Sequence, residues 1–379
     1  MNESAGTDDR FMDEALQEAR RGRYSVSPNP AVGCVIVRDG QIIGRGFHAR
    51  PGGPHAEIAA LESINREAAG ATAFVTLEPC NHHGRTGPCA EALIEAGIKR
   101  VVYANDDINP AVAGGGRACL EAAGIQVLSG VRSAEAWALN AGFFKRARTE
   151  MPFVRVKLAM SLDGAVALAS GESQWITGSC ARSDVQRLRA EACVIVTGAG
   201  TVVADDPSLN VRDPALEMRG RVPALAILDS RLRVPKKSRL FTLPGRKLLF
   251  CASDAGARAA GLRSQGATVE VVDADARGLN LTAVLHRLAA LECNDVLVEA
   301  GPTLAGAFLE AQLVDELVLY IAPRLLGLEG RRAFRLPSPE RLKDAFALDL
   351  VDTRRLDEDI ALTLRPRAAE WENKTCLPG

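Results

Sequence analysis

The chain has 379 residues, 47% hydrophobic and 25% charged, a globular composition that excludes whole-chain disorder and collagen-like or low-complexity architecture. Formal net charge is −1, and neither half is a basic arm: residues 1–150 carry 16 Lys+Arg against 18 Asp+Glu, the remainder 30 against 29. Clustered positive charge able to hold nucleic acid or an anionic membrane is therefore not expected, and no run of about 18 apolar residues suits a transmembrane helix. The acidic, polar start MNESAGTDDR has no signal-peptide core. Nine cysteines are too few and too odd in number for a disulfide framework, so a reducing cytoplasm is the expected location.

In chain order, Phe11, Ala15, Leu16 and Ala19 recur at helical spacing. Ala31–Val37 and Gln41–Phe47 read as two strands joined by the Asp39-Gly40 turn, a hairpin signature. A helix over His55–Arg66, a strand over Ala71–Leu77 and a helix over Cys89–Ala96 ending at Gly97 follow. Val101–Ala104 is a strand, Arg117–Ala123 a helix closed by Gly124, and Ile125–Leu128 a strand. This alternation predicts a largely parallel sheet covered on both faces. A fresh start falls near Met151-Pro152, with the junction between about 130 and 151. Beyond it, strands are predicted over Phe153–Ala159, Cys193–Val196, Ala224–Leu228, Lys247–Cys251, Thr268–Val272 and Asp295–Glu299. Helices are predicted over Ser183–Ala190, residues 255–262, Leu281–Leu291 and Leu304–Leu313. Leu317–Ile321 and Ile360–Leu364 are late strands, read as an antiparallel pair. The expected division is 1–148, 149–367 and a tail over 368–379.

Four of the five histidines fall between positions 48 and 83. Within and just past that window stand His55-Ala56-Glu57, Pro79-Cys80 and Cys89. One His and two Cys suit zinc, and three protein ligands leave its fourth position open for water. Glu57, two residues past His55, is placed to shuttle protons from that water to a leaving amine. Taken singly these signals are weak, since two cysteines nine apart are more often core thiols. Their joint order is that of the zinc nucleobase deaminases, His-x-Glu and then Pro-Cys with a second cysteine. In place of the usual Cys-x-x-Cys, eight residues separate Cys80 from Cys89, and they include His82 and His83, rival ligands in principle. Cys89 ranks above them because it opens a helix whose dipole favours a thiolate. In the second half, Gly198-Ala199-Gly200-Thr201 and Glu299-Ala300-Gly301-Pro302-Thr303 are strand-to-helix turns whose free N–H groups attract phosphate, though such turns occur in most α/β domains.

The runs Pro28-Asn29-Pro30-Ala31-Val32-Gly33, His55-Ala56-Glu57 and 77–89 (LEPCNHHGRTGPC) closely resemble the bifunctional riboflavin-biosynthesis deaminase/reductase family. That family's long inter-cysteine loop accounts for the spacing; Gly87 departs mildly from its usual Pro. The resemblance continues through Lys157–Gly164, Trp175-Ile176-Thr177, Arg187-Leu188-Arg189, Gly198–Arg212 and Glu299–Leu304. It implies an α/β chain of two domains, a cytidine-deaminase-like α/β/α sandwich followed by a dihydrofolate-reductase-like domain. The implied cofactors are one zinc ion per deaminase site, held by His55, Cys80 and Cys89, and NADPH. Glu57 is the implied catalytic residue. Deaminase substrate positions carry over to Asn29, His48, Arg85, Asp107 and Asn109, with Ile108 standing where relatives often have Pro. NADPH positions carry over to Ala159, Trp175, Thr201, Asp205 and Gly301, Pro302, Thr303, Leu304, Ala305, Gly306 and Ala307. Reductase substrate positions carry over to Lys157, Ser173, Arg189, Leu209, Arg212 and Glu299, the two arginines suiting a phosphate. Lys157 and Glu299 are the candidate proton donors of the reduction. The expected partner is a small pyrimidine ribosyl phosphate, with no nucleic acid and no membrane, acting on a homo-oligomer. The alternative is a nucleoside or tRNA deaminase with an unrelated or inactive second domain.

Overall fold

The computed structural model describes residues 3–81, 87–108, 114–254, 256–276 and 278–367. Arg85, Asn109, His82, His83 and the predicted tail 368–379 lie outside the described residues. The chain divides into two compact units, the first comprising residues 1–149 with 217–221, the second 150–216 with 222–379.

The first unit runs α1 (Glu3–Gly22), β1 (Gly33–Arg38), β2 (Gln41–Phe47), α2 (Ala56–Glu62), β3 (Thr72–Leu77), α3 (Cys89–Glu95), β4 (Arg100–Asn105), α4 (Gly115–Ala122), β5 (Gln126–Ser129), α5 (Ser133–Leu139) and α6 (Ala141–Thr149). Its five strands lie in the order β2-β1-β3-β4-β5. The β1–β2 hairpin is antiparallel, β1 is antiparallel to β3, and β3, β4 and β5 are parallel. Apolar side chains cover both faces. Phe11, Met12 and Leu16 of α1 pack on Val35, Phe74 and Val102, while Leu61, Leu93 and Leu120 of α2, α3 and α4 pack on Ile36, Val75 and Val101. Strands buried on both sides read as continuous Val/Ile runs, which is why β1 and β4 are so apolar. The approach of α2 to β2 depends on glycine: a Cβ at Gly46 would stand 2.3 Å from the Ala60 amide nitrogen. Two helices, α5 and α6, fill most of the region read as a junction, and the division between the units falls just after Thr149; Trp137 of α5 stacks on Phe144 of α6, while Ala136 and Leu139 join the core beneath α1.

The second unit begins with β6 (Phe153–Ser161), β7 (Ala165–Ala167), α7 (Ser179–Glu191), β8 (Val194–Gly198) and α8 (Ala199–Asp205). It continues with β9 (Ala224–Leu228), β10 (Lys247–Cys251), α9 (Ala257–Arg263), β11 (Ala267–Val271), the short β12 (Ala274–Asp275) and β13 (Gly278–Leu279), and α10 (Leu281–Ala290). It closes with β14 (Asp295–Glu299), α11 (Pro302–Glu310), β15 (Glu316–Ala322), β16 (Arg331–Arg332), β17 (Leu348–Leu356) and β18 (Asp359–Pro366). Nine strands form one sheet in the order β11-β10-β9-β8-β14-β6-β15-β18-β17. The pairings from β11 to β15 are parallel, whereas β18 is antiparallel to β15 with Leu317 opposite Leu364 and Ile321 opposite Ile360, as the sequence pattern suggests. The edge strand β17 has no apolar alternation (LDLVDTRRL) and was not predicted. Two cores flank the sheet, one under α10 and α11 around Val156, Val298 and Phe308, the other under α7, α8 and α9 around Ile195, Ile227 and Leu249.

Candidate active site

In the first unit the chemistry gathers where α2 and α3 begin. His55 is the N-cap of α2 in extended conformation, which turns its ring toward the start of α3. Cys80 ends the segment leaving β3, and Cys89 is the first residue of α3. His55 Nδ1 lies 3.2 Å from Cys89 Sγ and 3.4 Å from Cys80 Sγ. The three ligand atoms all fall within 4.8 Å of one another, and no other such group of His, Cys, Asp and Glu occurs among the described residues. One nitrogen and two sulfurs converging at this spacing fit zinc and leave a fourth position free. Cys80 gives up its proton readily, at about 4, because Cys89 hydrogen-bonds to its sulfur, while Cys89 is held well above the ordinary thiol value by that same bond and by burial. The pair thus shares one proton, which a dication would displace.

Glu57, one helical residue beyond Ala56, is 3% exposed and hydrogen-bonds to Cys89. Burial, with the neighbouring Cys80 charge, pushes its carboxyl up to about 7, the range where a group both takes and returns protons near neutral pH. His48 packs edge-on to His55, ring centroids 5.3 Å apart. The Pro54 carbonyl accepts from His48 Nδ1 at 2.8 Å, so His48 Nε2 is the acceptor for Asn29 Nδ2 at 2.9 Å. Burial keeps that imidazole neutral by lowering its pKa. The structure therefore brings together His55, Glu57, Cys80, Cys89, His48 and, through His48, Asn29.

Two positioning residues escaped the sequence reading. Asn140, buried on the α5–α6 turn, receives the Ala31 amide at Oδ1 (2.7 Å) and donates to the Ala31 carbonyl (2.9 Å), pinning the segment after Asn29. Glu78, one residue before Pro79-Cys80, accepts three backbone N–H groups. Glu78 stood inside the quoted motif and was passed over because it is not a ligand; Asn140 lies more than a hundred residues from its partner with no local signal.

In the second unit, β8 and β14 are adjacent and parallel, and both turns singled out in the sequence leave their carboxyl ends. That is where open α/β sheets bind ligands. A Cβ at Gly200 or Gly301 would meet nothing within 4 Å, so both turns face open space. Pro302 at the start of α11 leaves the next amides without helical partners, and Thr197 Oγ1 at the end of β8 is buried without a hydrogen-bond partner. These features fit the pyrophosphate of a dinucleotide. Within 301–307, however, Ala305 is core, and Gly306 is pressed on Arg335, where a Cβ would stand 2.3 Å from the carbonyl oxygen. Those two positions also pack α11 against the rest of the unit.

Lys157, on β6, and Glu299, on β14, come within 3.9 Å, and Arg189, from α7, grips Glu299 at 2.5 and 2.9 Å. Arg189 also donates to the Asn210 carbonyl at 3.1 Å. Against burial, Arg189 leads the charges that hold the Glu299 carboxyl below its usual value, with Lys157 and Arg212 adding to it. Burial lowers the Lys157 ammonium. Leu209 is buried with φ +45°, and Arg212 is exposed. Trp175 is 61% exposed with the Arg182 guanidinium 4.9 Å over its ring. Ala159, Ser173 and Thr201 are half-buried; Asp205, at the last turn of α8, is exposed.

Fold and sites together define a zinc-type deaminase joined to a nucleotide-dependent reductase. Residues 5–105 match the cytidine and deoxycytidylate deaminase zinc-binding region, and residues 152–362 match the RibD C-terminal domain. The riboflavin biosynthesis protein RibD of Escherichia coli is 46% identical over 368 residues, covering 94% of this chain and 99% of that protein. RibD of Haemophilus influenzae is 43% identical, covering 97% and 100%. The crystal structure of Acinetobacter baumannii RibD superposes with a TM-score of 0.89 at 44% identity, over 96% of this chain and 99% of that one. A diaminohydroxyphosphoribosylaminopyrimidine deaminase/5-amino-6-(5-phosphoribosylamino)uracil reductase from Thermotoga maritima gives 0.85 at 33%, over 96% and 99%. The chain belongs to the RibD family of bifunctional deaminase/reductases. It is both a hydrolase and an oxidoreductase of riboflavin biosynthesis, with zinc and NADPH as its cofactors.

Proposed function

We propose that the first unit deaminates 2,5-diamino-6-(5-phosphoribosylamino)pyrimidin-4(3H)-one, and that the second reduces the ribosyl group of 5-amino-6-(5-phosphoribosylamino)uracil to ribityl. The observation that carries the first step is the buried His55, Cys80 and Cys89 triangle with Glu57 beside it. His55, Cys80 and Cys89 would hold zinc, which supplies an acidified water for attack on the amine-bearing ring carbon. Glu57 takes the proton of the attacking water and delivers it to the departing amine, which leaves as ammonia. His48 fixes Asn29 by accepting from its Nδ2, leaving the Asn29 Oδ1 as the acceptor offered to the pyrimidine. Asp107, with Arg85 and Asn109, completes the substrate positions carried over from the family.

For the second step, Gly198–Thr201 and Gly301–Leu304 would seat the pyrophosphate, with Ala159, Trp175 and Asp205 along the same cofactor; NADPH supplies the hydride to C1′. Lys157 and Glu299, 3.9 Å apart, provide the pair from which the opening ribose oxygen draws a proton. Arg212 is the cation for the substrate phosphate. Arg189 reaches that phosphate only while shared with Glu299, which accepts from its Nε and Nη2, and with the Asn210 carbonyl, which accepts from its Nη1. Ser173 and Leu209 line the rest of the substrate.

On this reading the substrate is a free small molecule, met in the cytoplasm without nucleic acid or membrane. The balanced charge supports this, and no described helix is long and apolar enough to cross a membrane. A homo-oligomer is supported by the edge strand β17, whose Leu350 and Val351 are 61% and 49% exposed. The test supplies the diaminopyrimidine with and without NADPH while following ammonia and NADPH separately. Ammonia without NADPH, and NADPH consumed only after deamination, is the expected result. Ammonia with untouched NADPH would overturn the second step; turnover of cytidine or a tRNA instead would overturn the first.

A further inference from the structure

Glu78 is 3% exposed, follows β3 directly, and precedes Pro79-Cys80. Its carboxyl points away from the metal ligands and into the segment that leaves β4. Oε2 accepts the amide of Asp107 at 3.2 Å and the amide of Gly114 at 3.1 Å; Oε1 accepts the amide of Arg117 at 3.1 Å. A single oxygen therefore accepts from both Asp107 and Gly114. The Gly114 and Arg117 amides belong to the N-cap and third residue of α4, whose N-cap glycine has no side chain to cap it. Glu78 supplies that cap from another element. Gly116 lies against the same turn: a Cβ there would stand 1.7 Å from the Pro79 carbonyl oxygen and 3.4 Å from Glu78 Oε1. The start of α4 thus sits directly on the strand end that presents Cys80, and only glycine admits it.

We propose that Glu78 is a positioning residue for deamination: it fixes Asp107 and the start of α4 against the zinc-ligand turn, so that pyrimidine recognition at Asp107 and the metal share one rigid base. The proposal rests on the reading of Asp107 and Asn109 as substrate-binding. Glu78 touches neither substrate nor reacting atoms. Its action is on the KM for the pyrimidine, because loss of the clamp releases Asp107 while His55, Glu57, Cys80 and Cys89 keep their own supports.

The test uses the full-length, zinc-loaded enzyme carrying Glu78→Ala or Glu78→Gln. Glu78→Ala raises the deaminase KM by about tenfold or more, the loss of one or more hydrogen bonds to a buried acceptor. kcat stays within about threefold and zinc at one per chain. Glu78→Gln, which keeps one acceptor oxygen, falls between it and the unmodified enzyme. Reductase turnover of separately supplied deaminated pyrimidine stays unchanged and reports that the second unit is folded, while the retained zinc reports the first. A fall in kcat at unchanged KM, or loss of zinc, overturns the proposal in favour of a role in holding Cys80. Asp107→Ala and Asn109→Ala separate the two readings: if these leave KM unchanged, the substrate assignment of the segment fails; if they raise it and Glu78→Ala does not, the clamp fails. Hydrogen exchange on the unmodified enzyme gives an answer that needs no variant. The Asp107, Gly114 and Arg117 amides exchange as slowly as those of α4, and fast exchange at Asp107 and Gly114 overturns the clamp.

Discussion

The two units build their sites by opposite strategies. The deaminase groups are sunk in the fold: Glu57 is 3%, Cys80 8% and Cys89 0% exposed, and they touch one another before anything binds. The reductase positions are strung along the carboxyl ends of β8, β14 and β6, and several stand in the open, Trp175 at 61% exposure. A metal demands three short bonds from particular atoms, so its ligands must be prepaid in covalent spacing and packing. A dinucleotide is held mostly by backbone amides and shape, so it constrains turns and helix starts more than residue types.

The sharpest way to break this comparison is to remove the metal. Treatment with a chelator abolishes ammonia release while NADPH-dependent turnover of the deaminated pyrimidine continues, and added zinc restores the first activity. Parallel loss of both activities would show that the sites are not separately built. Next in size is Glu57→Gln. It lowers the deaminase kcat by roughly a hundredfold to ten-thousandfold, the usual contribution of a placed acid–base group. Zinc content, measured by atomic absorption, stays at one per chain. Near-normal turnover would remove Glu57 as the proton carrier.

This contrast also explains what could be read from the residues. The zinc triangle was legible because His-x-Glu, Pro-Cys and the later Cys are rare in that order, and the hairpin because Asp39-Gly40 sits between two apolar runs. The β15 strand was legible as the continuous apolar run Leu317–Ile321 and β18 as the run Ile360–Leu364. The helices α5 and α6 were not, since Ser133–Thr149 mixes charge with aromatics that stack on one another, Trp137 on Phe144, and leave no regular apolar stripe. Strand β17 was invisible because both its faces are largely exposed and only β18 makes it a strand. In the deaminase site, two positioning residues were not legible. Asn140 and Glu78 act on backbone groups, and a backbone partner leaves no residue signature.

A smaller effect sharpens the reductase side. Arg212→Ala raises the KM for the phosphorylated substrate by about tenfold to a hundredfold, the value of a charge-assisted hydrogen bond, with deamination untouched. Steady-state kinetics on the deaminated pyrimidine checks it, and an unchanged KM removes Arg212 from the phosphate site. Arg189→Ala reaches further, because it also strips Glu299 of its principal partner. Its expected signature is a fall in kcat together with a rise in KM.

The least effect on turnover and the clearest effect on stability belong to Asp184. This α7 carboxyl receives Arg354 at 2.7 and 3.0 Å, Arg187 at 3.0 Å and the Tyr320 hydroxyl at 2.6 Å, linking α7 to β15 and β17. Burial alone would raise its pKa; the hydrogen bonds from Arg354, Arg187 and Tyr320 outweigh it and hold the carboxyl well below the ordinary range. A carboxyl depressed in the folded state contributes stability that is fully present above the unfolded value and is lost as pH falls through the folded one. Its window is therefore acidic, beginning near the ordinary aspartate value of 3.8 and extending below it. Asp184→Asn lowers the Tm of the second unit at neutral pH by about 5 °C, corresponding to roughly 2 kcal/mol. Below pH 4 the gap between variant and unmodified protein narrows, because the unmodified carboxyl is then losing its advantage. A gap that stays constant from pH 7 to pH 3 would mean the network contributes by packing and not by charge. Buried and already partnered, Asp184 would then belong with the prepaid groups of the first unit, and the division between the two building strategies would run through the second unit itself.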